Sequence, residues 1–491
     1  MARIMEQEGG VQLANLDYVF NPRSIAFVGA TENPAKWGFI VFNNLLIGGY
    51  EGRIYPVNPG RESILGHRCF ASVSAIPDEV DLAVFTIPAR EIPSVIEECV
   101  DKGVKAALVI SAGFKELGEE GAALERQMVE KARAGGIVLV GPNGQGIACP
   151  KCKLFPWMPM MYPAAGRIAL VSQSGNILNM MVEELYGYGF GVSKVISSGN
   201  EADARIEDYL AYLADDADTD VIIAYMEGAR DARRFFEQAR ALTARKPIVI
   251  LKGGRSQSGV AAAKSHTGAM AVSGDIFEAA CRQAGLVRAG TIEEAACLAA
   301  AFVNRQLPSG RRVGIITGGG GLGVLASDIC AEDGLEVVAL SEETLAEIGK
   351  SMPDRWVPGN PVDLVAGLDM TIIPRVMEIM RDSGEVDALL FIFVAPTRAS
   401  GLGPPHIERG LDLGQAWDTV YYHMMAKLAE LHAPMSARGV PLYVVSTLKE
   451  PDQDGETALP EGTDLAVFDT VEMGCKAISA MVAYREMTGR A

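Results

Sequence analysis

Lys264-Ser265-His266-Thr267-Gly268-Ala269 sets an imidazole between small polar residues, with a glycine two places on. Backbone of this kind can be exposed and can move, which suits a histidine acting as a general base or as a nucleophile that accepts a phosphoryl group. The second role needs a neutral attacking nitrogen, with the proton on the other nitrogen held by an acceptor such as Glu227 in Tyr225-Met226-Glu227-Gly228. The plainer reading is a histidine that caps or packs a loop. Groups suited to an anion occur in the same part of the chain. Ser172-Gln173-Ser174-Gly175-Asn176 follows an apolar run and precedes a helical pattern from Ile177 to Leu185. Free N–H groups and the helix dipole there favour negative charge beside Gln173, Ser174, Gly175 and Asn176. Ser198-Gly199-Asn200 ends the next apolar run with small polar residues, so Gly199 and Asn200 join the set.

These residues need a sheet to gather them. Apolar runs at Ser24–Val28, 52–57, 80–87, 106–110 and 137–140 alternate with helical patterns through residues 1–150. The same alternation recurs over 160–305 and, after the Pro308-Ser309-Gly310 linker, over 308–491. Such alternation predicts an α/β fold of three doubly wound domains whose ligands lie at the carboxyl ends of the strands. His266, Glu227 and the two anion loops then fall on one edge of one sheet. Between the first two domains, the proline-broken stretch Lys153–Pro163 reads as a packed strap. The alternative is that Phe155, Trp157 and its methionines line an apolar substrate pocket.

A net charge of −18 argues against broad contact with nucleic acid, while a local basic pocket for a phosphorylated ligand stays open. The 8 cysteines among 491 residues are too sparse for a disulfide scaffold and read as thiols. Cys149-Pro150-Lys151-Cys152 has no second pair or neighbouring histidine to complete a zinc set, so no metal site is expected. With neither an apolar leader nor about 18 uninterrupted apolar residues, a cytoplasmic location without a membrane partner is expected. His406, His423 and His432 lack comparable flanks and read as structural or solvated. Gly318-Gly319-Gly320-Gly321-Leu322-Gly323 satisfies the dinucleotide pattern, with Glu342 and Glu343 as candidate ribose ligands. It also reads as a second copy of the anion turn at Ser172, because Gly359-Asn360-Pro361-Val362-Asp363 follows it as Gly199-Asn200-Glu201-Ala202-Asp203 follows the first.

Taken together, Gly29-Ala30-Thr31-Glu32-Asn33-Pro34, Gly48–Pro59, Ser111-Ala112-Gly113-Phe114 and Gly141-Pro142-Asn143 resemble the CoA-binding domain of the NDP-forming acyl-CoA synthetases. One departure is Gly144-Gln145, where that family commonly has cysteine and leucine. The ordered motifs S-Q-S-G, S-G-N-x-x-D, Y-x-E-G and S-H-T-G resemble its ligase domains, which are related to those of succinyl-CoA synthetases. The resemblance implies a Rossmann-like CoA-binding domain followed by two flavodoxin-like ligase domains. It implies CoA binding by Gly29, Ala30, Thr31, Asn33, Lys36, Pro56, Asn58, Ile87, Pro88, Ser111, Ala112, Gly113 and Asn143. It makes His266 the phosphohistidine, Glu227 its orienting carboxylate, and Gly319, Gly320 and Gly321 the start of a second phosphate-binding helix.

No stretch remains for an ATP-grasp domain, so the chain is expected to be the α-type subunit of an ADP-forming acyl-CoA synthetase. A separate ATP-grasp β subunit would carry ATP or ADP with Mg2+, in a heterotetramer. The reaction would interconvert acyl-CoA, ADP and phosphate with carboxylic acid, CoA and ATP through acyl phosphate and phosphorylated His266. Two alternatives remain from the residues: a CoA-binding regulatory or acyltransfer-scaffold protein, and an NAD-binding oxidoreductase.

Overall fold

The computed structural model describes residues 12–256, 258–259, 274–303, 306–365, 371–394, 413–446, 465 and 467–489. Within them the chain divides into two compact units, Met1–Tyr186 with Phe190–Ala295, and Gly187–Gly189 with Ala296–Ala491. The first unit holds two large sheets and a two-stranded one, and the second holds one large sheet. No described helix is long and apolar enough to cross a membrane.

The first sheet is built from β1 (Ser24–Val28), β2 (Arg53–Val57), β5 (Leu82–Phe85), β6 (Ala106–Val109) and β7 (Val138–Val140), in the order β2-β1-β5-β6-β7. All its pairings are parallel. A small hairpin of β3 (Ser63–Ile64) and β4 (His67–Arg68) stands apart. β1, β5, β6 and β7 are buried at every position, as strands covered by helices on both faces must be. Their continuous apolar runs, without period-two alternation, are the sequence mark of that burial.

The second sheet contains β8 (Gly146–Ala148), β9 (Ala165–Ser172), β10 (Val192–Ser197), β11 (Val221–Met226), β12 (Ile248–Lys252) and β13 (Val287–Ala289). Its order is β13-β12-β11-β9-β10-β8, with β8 the antiparallel edge strand. β8 precedes residue 150 in the chain yet pairs with β10, so the first segment feeds a strand into the second sheet. Trp157, Phe155 and Leu154 are buried, and Asn44 Nδ2 donates to the carbonyls of Trp157 and Pro159, both at 2.9 Å. The stretch is therefore a packed strap. Of its large side chains Met158 lines the cleft described below, whereas Phe155 and Trp157 are buried and do not line it.

In the second unit β14 (Arg312–Thr317), β15 (Glu336–Val337), β16 (Val362–Asp363), β17 (Ala388–Phe393), β18 (Leu442–Ser446) and β19 (Val467–Phe468) form a parallel sheet of order β15-β14-β17-β18-β19, with β16 also on β14. Setting aside the edge strand β8 and the short β16, all three sheets follow one plan. The second strand flanks the first on one side and later strands extend on the other, which is the flavodoxin-like order. The topological switch point beside the first strand, where such sheets bind ligands, thus recurs in each of them.

Candidate functional site

The carboxyl edge of the second sheet is held by one side chain. Gln173, immediately after β9, accepts at Oε1 from the backbone N–H of Glu227 (2.7 Å) and Gly228 (3.3 Å). Its Nε2 donates to Glu201 Oε2 (3.0 Å) and to the Gly228 carbonyl (2.9 Å). The ends of β9, β10 and β11 are thereby fastened together. Next to it Ser172 Oγ donates to the Ser174 carbonyl (2.6 Å) and accepts from Ser174 N–H (3.1 Å), which turns the chain into the helix Gly175–Gly187. The first N–H groups of a helix have no intrahelical partner and remain available to an anion.

The loop after β10 is laid along the edge of the first sheet. Asn200 N donates to the Pro142 carbonyl (2.8 Å), Ala202 N to Gly141 (3.0 Å) and Ala204 N to Leu139 (3.1 Å). Asp203, the acid of the S-G-N-x-x-D motif, is buried. It takes Leu139 N–H at 2.9 Å and Arg133 at 2.6 Å, so its work is to suture the two sheets. Gly199 adopts φ +57°, and a Cβ there would lie 2.2 Å from the Pro142 carbonyl oxygen. Only glycine passes so close to that backbone.

These loops enclose a cleft of about 380 Å³. One wall is Ser111, Ala112 and Asn143 from the first sheet's strand ends, and the opposite wall is Gln173–Asn176 with Gly199 and Asn200. Trp37, Thr86, Ile110, Gly144, Gln145 and Met158 complete it. Gln145 bridges the walls: its Nε2 donates to Asn176 Oδ1 (3.0 Å), and Asn179 Nδ2 donates to its Oε1 (2.9 Å). The side chain crosses Gly175, where a Cβ would meet it at 2.3 Å. Gly144 and Gln145 were visible in the sequence only as a departure from a pattern. Trp37, Thr86 and Ile110 gave no local signal, because their place in the wall depends on the tertiary fold.

The other candidate CoA residues shape strand-end loops of the first sheet without lining this cleft. Gly29 turns at φ +99°, and Asn58 Nδ2 donates to the Ala30 carbonyl (2.9 Å). Thr31 Oγ1 accepts from Asn33 N (3.3 Å), Asn33 Oδ1 accepts from Ala35 N (3.0 Å), and exposed Lys36 precedes the helix Trp37–Ile47, which no side chain caps. Pro56 is buried within β2 opposite Phe27. The Ile87 carbonyl accepts from Ser111 Oγ (2.6 Å), Pro88 leads into the next helical turn, and Gly113 turns at φ +113°.

Glu227 is 8 % exposed, with Tyr225 Oη at 3.5 Å from its Oε1. Burial first, and then the nearby carboxylate, push the Tyr225 phenol up to about 12. Lys252, at the end of β12, donates to the Glu227 carbonyl at 2.7 Å and is held below its usual value by burial. A Cβ on Gly253 would lie 3.5 Å from Glu227 Cγ, so the chain that leads toward His266 departs beside this carboxylate. His266 itself lies outside the described residues.

Glu201 is a site residue that sequence reasoning passed over. It accepts from Ser198 Oγ (2.8 Å) and Gln173 Nε2, and burial pushes its carboxyl up to about 7. The native state therefore holds this proton more tightly than the unfolded chain, whose value is 4.5. Its contribution to stability is complete below the unfolded value and is lost as pH rises through about 7, a loss of about 3 kcal/mol. Urea midpoints measured from acid to neutral pH are expected to fall accordingly in the native chain and to flatten in Glu201→Gln.

In the second unit Thr317 repeats the Ser172 turn. Its Oγ1 donates to the Gly319 carbonyl (3.0 Å) and accepts from Gly319 N–H (3.1 Å), ahead of the helix Gly320–Glu332 that holds Gly320 and Gly321. The echo stops at Asn360. Its amide donates to the Val313 and Val338 carbonyls, both at 2.9 Å, filling the gap between the short strands β15 and β16 instead of lining a cleft as Asn200 does. Glu342 and Glu343 stand exposed in the first turn of the helix Glu342–Gly349, beyond β15. Among the remaining histidines His432 is buried, which lowers its value to about 4, His423 is exposed, and His406 lies outside the described residues. The eight cysteines are free thiols.

Three family models match in succession: a CoA binding domain over residues 23–150, a succinyl-CoA ligase like flavodoxin domain over 165–302 and a ligase-CoA domain over 313–456. The α subunit of ADP-forming acetate–CoA ligase II from Pyrococcus furiosus is 40% identical over 394 residues, covering 80% of this chain and 85% of that one. The chain belongs to the ADP-forming acyl-CoA synthetase family. Its members are acid–thiol ligases. The α subunit of isoenzyme I from the same organism is 44% identical over 359 residues, covering 72% of this chain and 78% of that one. Among solved structures, a dinucleotide forming acetyl-coenzyme A synthetase 1 from Ca. Korarchaeum cryptofilum, in complex with phosphate and ADP, superposes with a TM-score of 0.81 at 30% identity. That match covers 96% of this chain and 97% of the other.

Proposed function

We infer that the chain is the α-type subunit of an ADP-forming acyl-CoA ligase, and that the cleft is where a CoA thioester meets inorganic phosphate. The observation that carries this reading is the juxtaposition within one cleft of Ser111, Ala112 and Asn143, from the part matched by the CoA-binding model, with the anion-binding turn Gln173–Asn176. CoA fits the first sheet's edge, because the uncapped start of helix Trp37–Ile47 and the loops at Gly29–Lys36, Pro56–Asn58 and Ile87–Pro88 offer backbone donors and close approach. Ser111 to Gly113 and Asn143 carry its thiol end to the cleft.

Phosphate held at Gln173–Asn176, Gly199 and Asn200 attacks the thioester carbonyl, releasing CoA and leaving an acyl phosphate. The helix start and the loop amides stabilise charge that develops on the transferring oxygens. His266 then takes the phosphoryl group and frees the carboxylic acid, with Glu227 holding the imidazole proton on the nitrogen that does not attack. Transfer to ADP completes the cycle on an ATP-grasp β subunit with Mg2+, in a heterotetramer; the naming of both Pyrococcus relatives as α subunits supports such a partner. In the second unit, Gly319, Gly320 and Gly321 are assigned to phosphoryl binding on the strength of the turn they share with Ser172–Ser174.

Incubation with acetyl-CoA and radiolabelled phosphate tests the reading. The chain is expected to gain acid-labile, base-stable label, and His266→Ala is expected to lose it to background. Equal labelling of the two would refute a phosphohistidine at this position.

A further inference from the structure

One carboxylate outside the cleft joins its two walls. Glu116 Oε1 accepts from the backbone N–H of Gly113 (2.6 Å) and Phe114 (3.1 Å), closing the loop that begins at Ser111 and Ala112. Its Oε2 accepts from Asn200 Nδ2 (2.7 Å), on the anion loop after β10. Neighbouring Lys115 donates to the Asn200 carbonyl, so two adjacent residues grip both ends of the asparagine. Glu125 takes the same amide at 3.0 Å, and Asn143 Nδ2 donates to Asn200 Oδ1 at 3.3 Å. Ser111 and Ala112 line one wall of the cleft and Asn200 the other, whereas Glu116 is absent from the lining.

The loop that Glu116 closes is demanding in shape. Gly113 turns at φ +113°, where a Cβ would lie 3.0 Å from that of Ala89, and the chain then passes directly into the helical turn Lys115–Leu117. A ligand seated on Ser111 and Ala112 fixes this turn and with it the carboxylate. The carboxylate in turn fixes Asn200, so a second ligand on the anion loop meets a group already ordered. Lowering the ordering cost of one site by occupying the other is positive coupling, and it acts equally in both directions.

We propose that Glu116 is a positioning residue that makes the binding of CoA and of inorganic phosphate to this chain mutually reinforcing, by tying the Ser111–Phe114 loop to Asn200. The proposal rests on the reading of the cleft given above.

Equilibrium titration of the full chain with inorganic phosphate, with and without saturating CoA, tests it. Phosphate affinity is expected to rise about fivefold or more with CoA present, and CoA affinity by the same factor with phosphate present. In Glu116→Ala both ligands are expected still to bind, with the factor reduced severalfold to what the Lys115 and Asn143 bonds to Asn200 sustain. Glu116→Gln serves as the second variant: it keeps an acceptor for Gly113 and Phe114 but turns an amide N–H₂ toward Asn200, and it is expected to lose most of the coupling. Thermal melting confirms that each variant is folded, and a purely structural role would lower melting without changing the ratio of affinities. A wild-type factor near one, or an unchanged factor in folded variants, would overturn the proposal and leave the His266 labelling result standing. A wild-type chain that binds no CoA would overturn both.

Discussion

Gly199→Ala is expected to be among the most damaging single substitutions in the first unit, lowering stability by about 3 kcal/mol and removing phosphoryl transfer. Two effects add. At φ +57° a side chain costs about 1 kcal/mol from its own carbonyl contact. The new Cβ would also fall 2.2 Å from the Pro142 oxygen and 2.8 Å from Asn143, and both obstacles are backbone. Relief requires the anion loop to lift from the edge of the first sheet, which breaks the bonds from Asn200 and Ala202 to Pro142 and Gly141. Urea denaturation and His266 labelling measure the two losses. A folded Gly199→Ala chain of native stability that still labels would refute the account.

Gln173→Leu is expected to lower the rate of phosphoenzyme formation by about a hundredfold, a loss comparable to removing one preorganised oxyanion donor. The residue makes four hydrogen bonds that tie its own strand end to those of two others, so leucine strands Glu227 N–H, Gly228 N–H and the Glu201 carboxylate without this partner. Unpaired buried groups of this kind cost about 1–3 kcal/mol each when no water reaches them. Because Glu227 N–H is among them, the carboxylate assigned to orient His266 should lose its fixed position as well. Rapid-quench labelling at saturating acetyl-CoA and phosphate reads the effect as a change in rate. A change confined to phosphate affinity would show that Gln173 binds the anion but does not position Glu227.

Much of the scaffold is legible in the chain. Continuous apolar runs at 24–28, 82–85 and 106–109 announce strands buried on both faces, and the polar turns that follow them mark the working edge of each sheet. The Ser172 and Thr317 turns share one bonding pattern, which the parallel placement of small residues before a helix already suggested. Legibility fails where the partner is distant in sequence. Asp203 reads only as the last residue of a motif shared with ligase domains, whereas it serves as a suture to Leu139 and Arg133. Asn360 looks like Asn200 yet fills a gap between strands, because β16 pairs with β14 directly after it. Phe155 and Trp157 offered an apolar pocket wall, but the edge strand β8 and Asn44 draw their backbone into the core and leave Met158 to reach the cleft.

The sequence by itself determined what is local: the strands, the tight turns that end them, the helix starts that favour an anion, and the ordered motifs that mark the family. Those depend on residues within a few positions of one another, where steric and hydrogen-bonding preferences act directly. Only the tertiary structure decided which strand ends meet and what surrounds each charge. Glu201 is pushed up to about 7 because the fold buries it completely, whereas Glu116 is only partly buried, and bonds from Asn200 and from backbone N–H groups outweigh that burial and hold it below its ordinary value. Two carboxylates of one residue type thus differ through depth of burial and through Asn200, which the fold brings to Glu116 from a distant segment; their local partners, Ser198 for Glu201 and Gly113 and Phe114 for Glu116, do not by themselves set that difference.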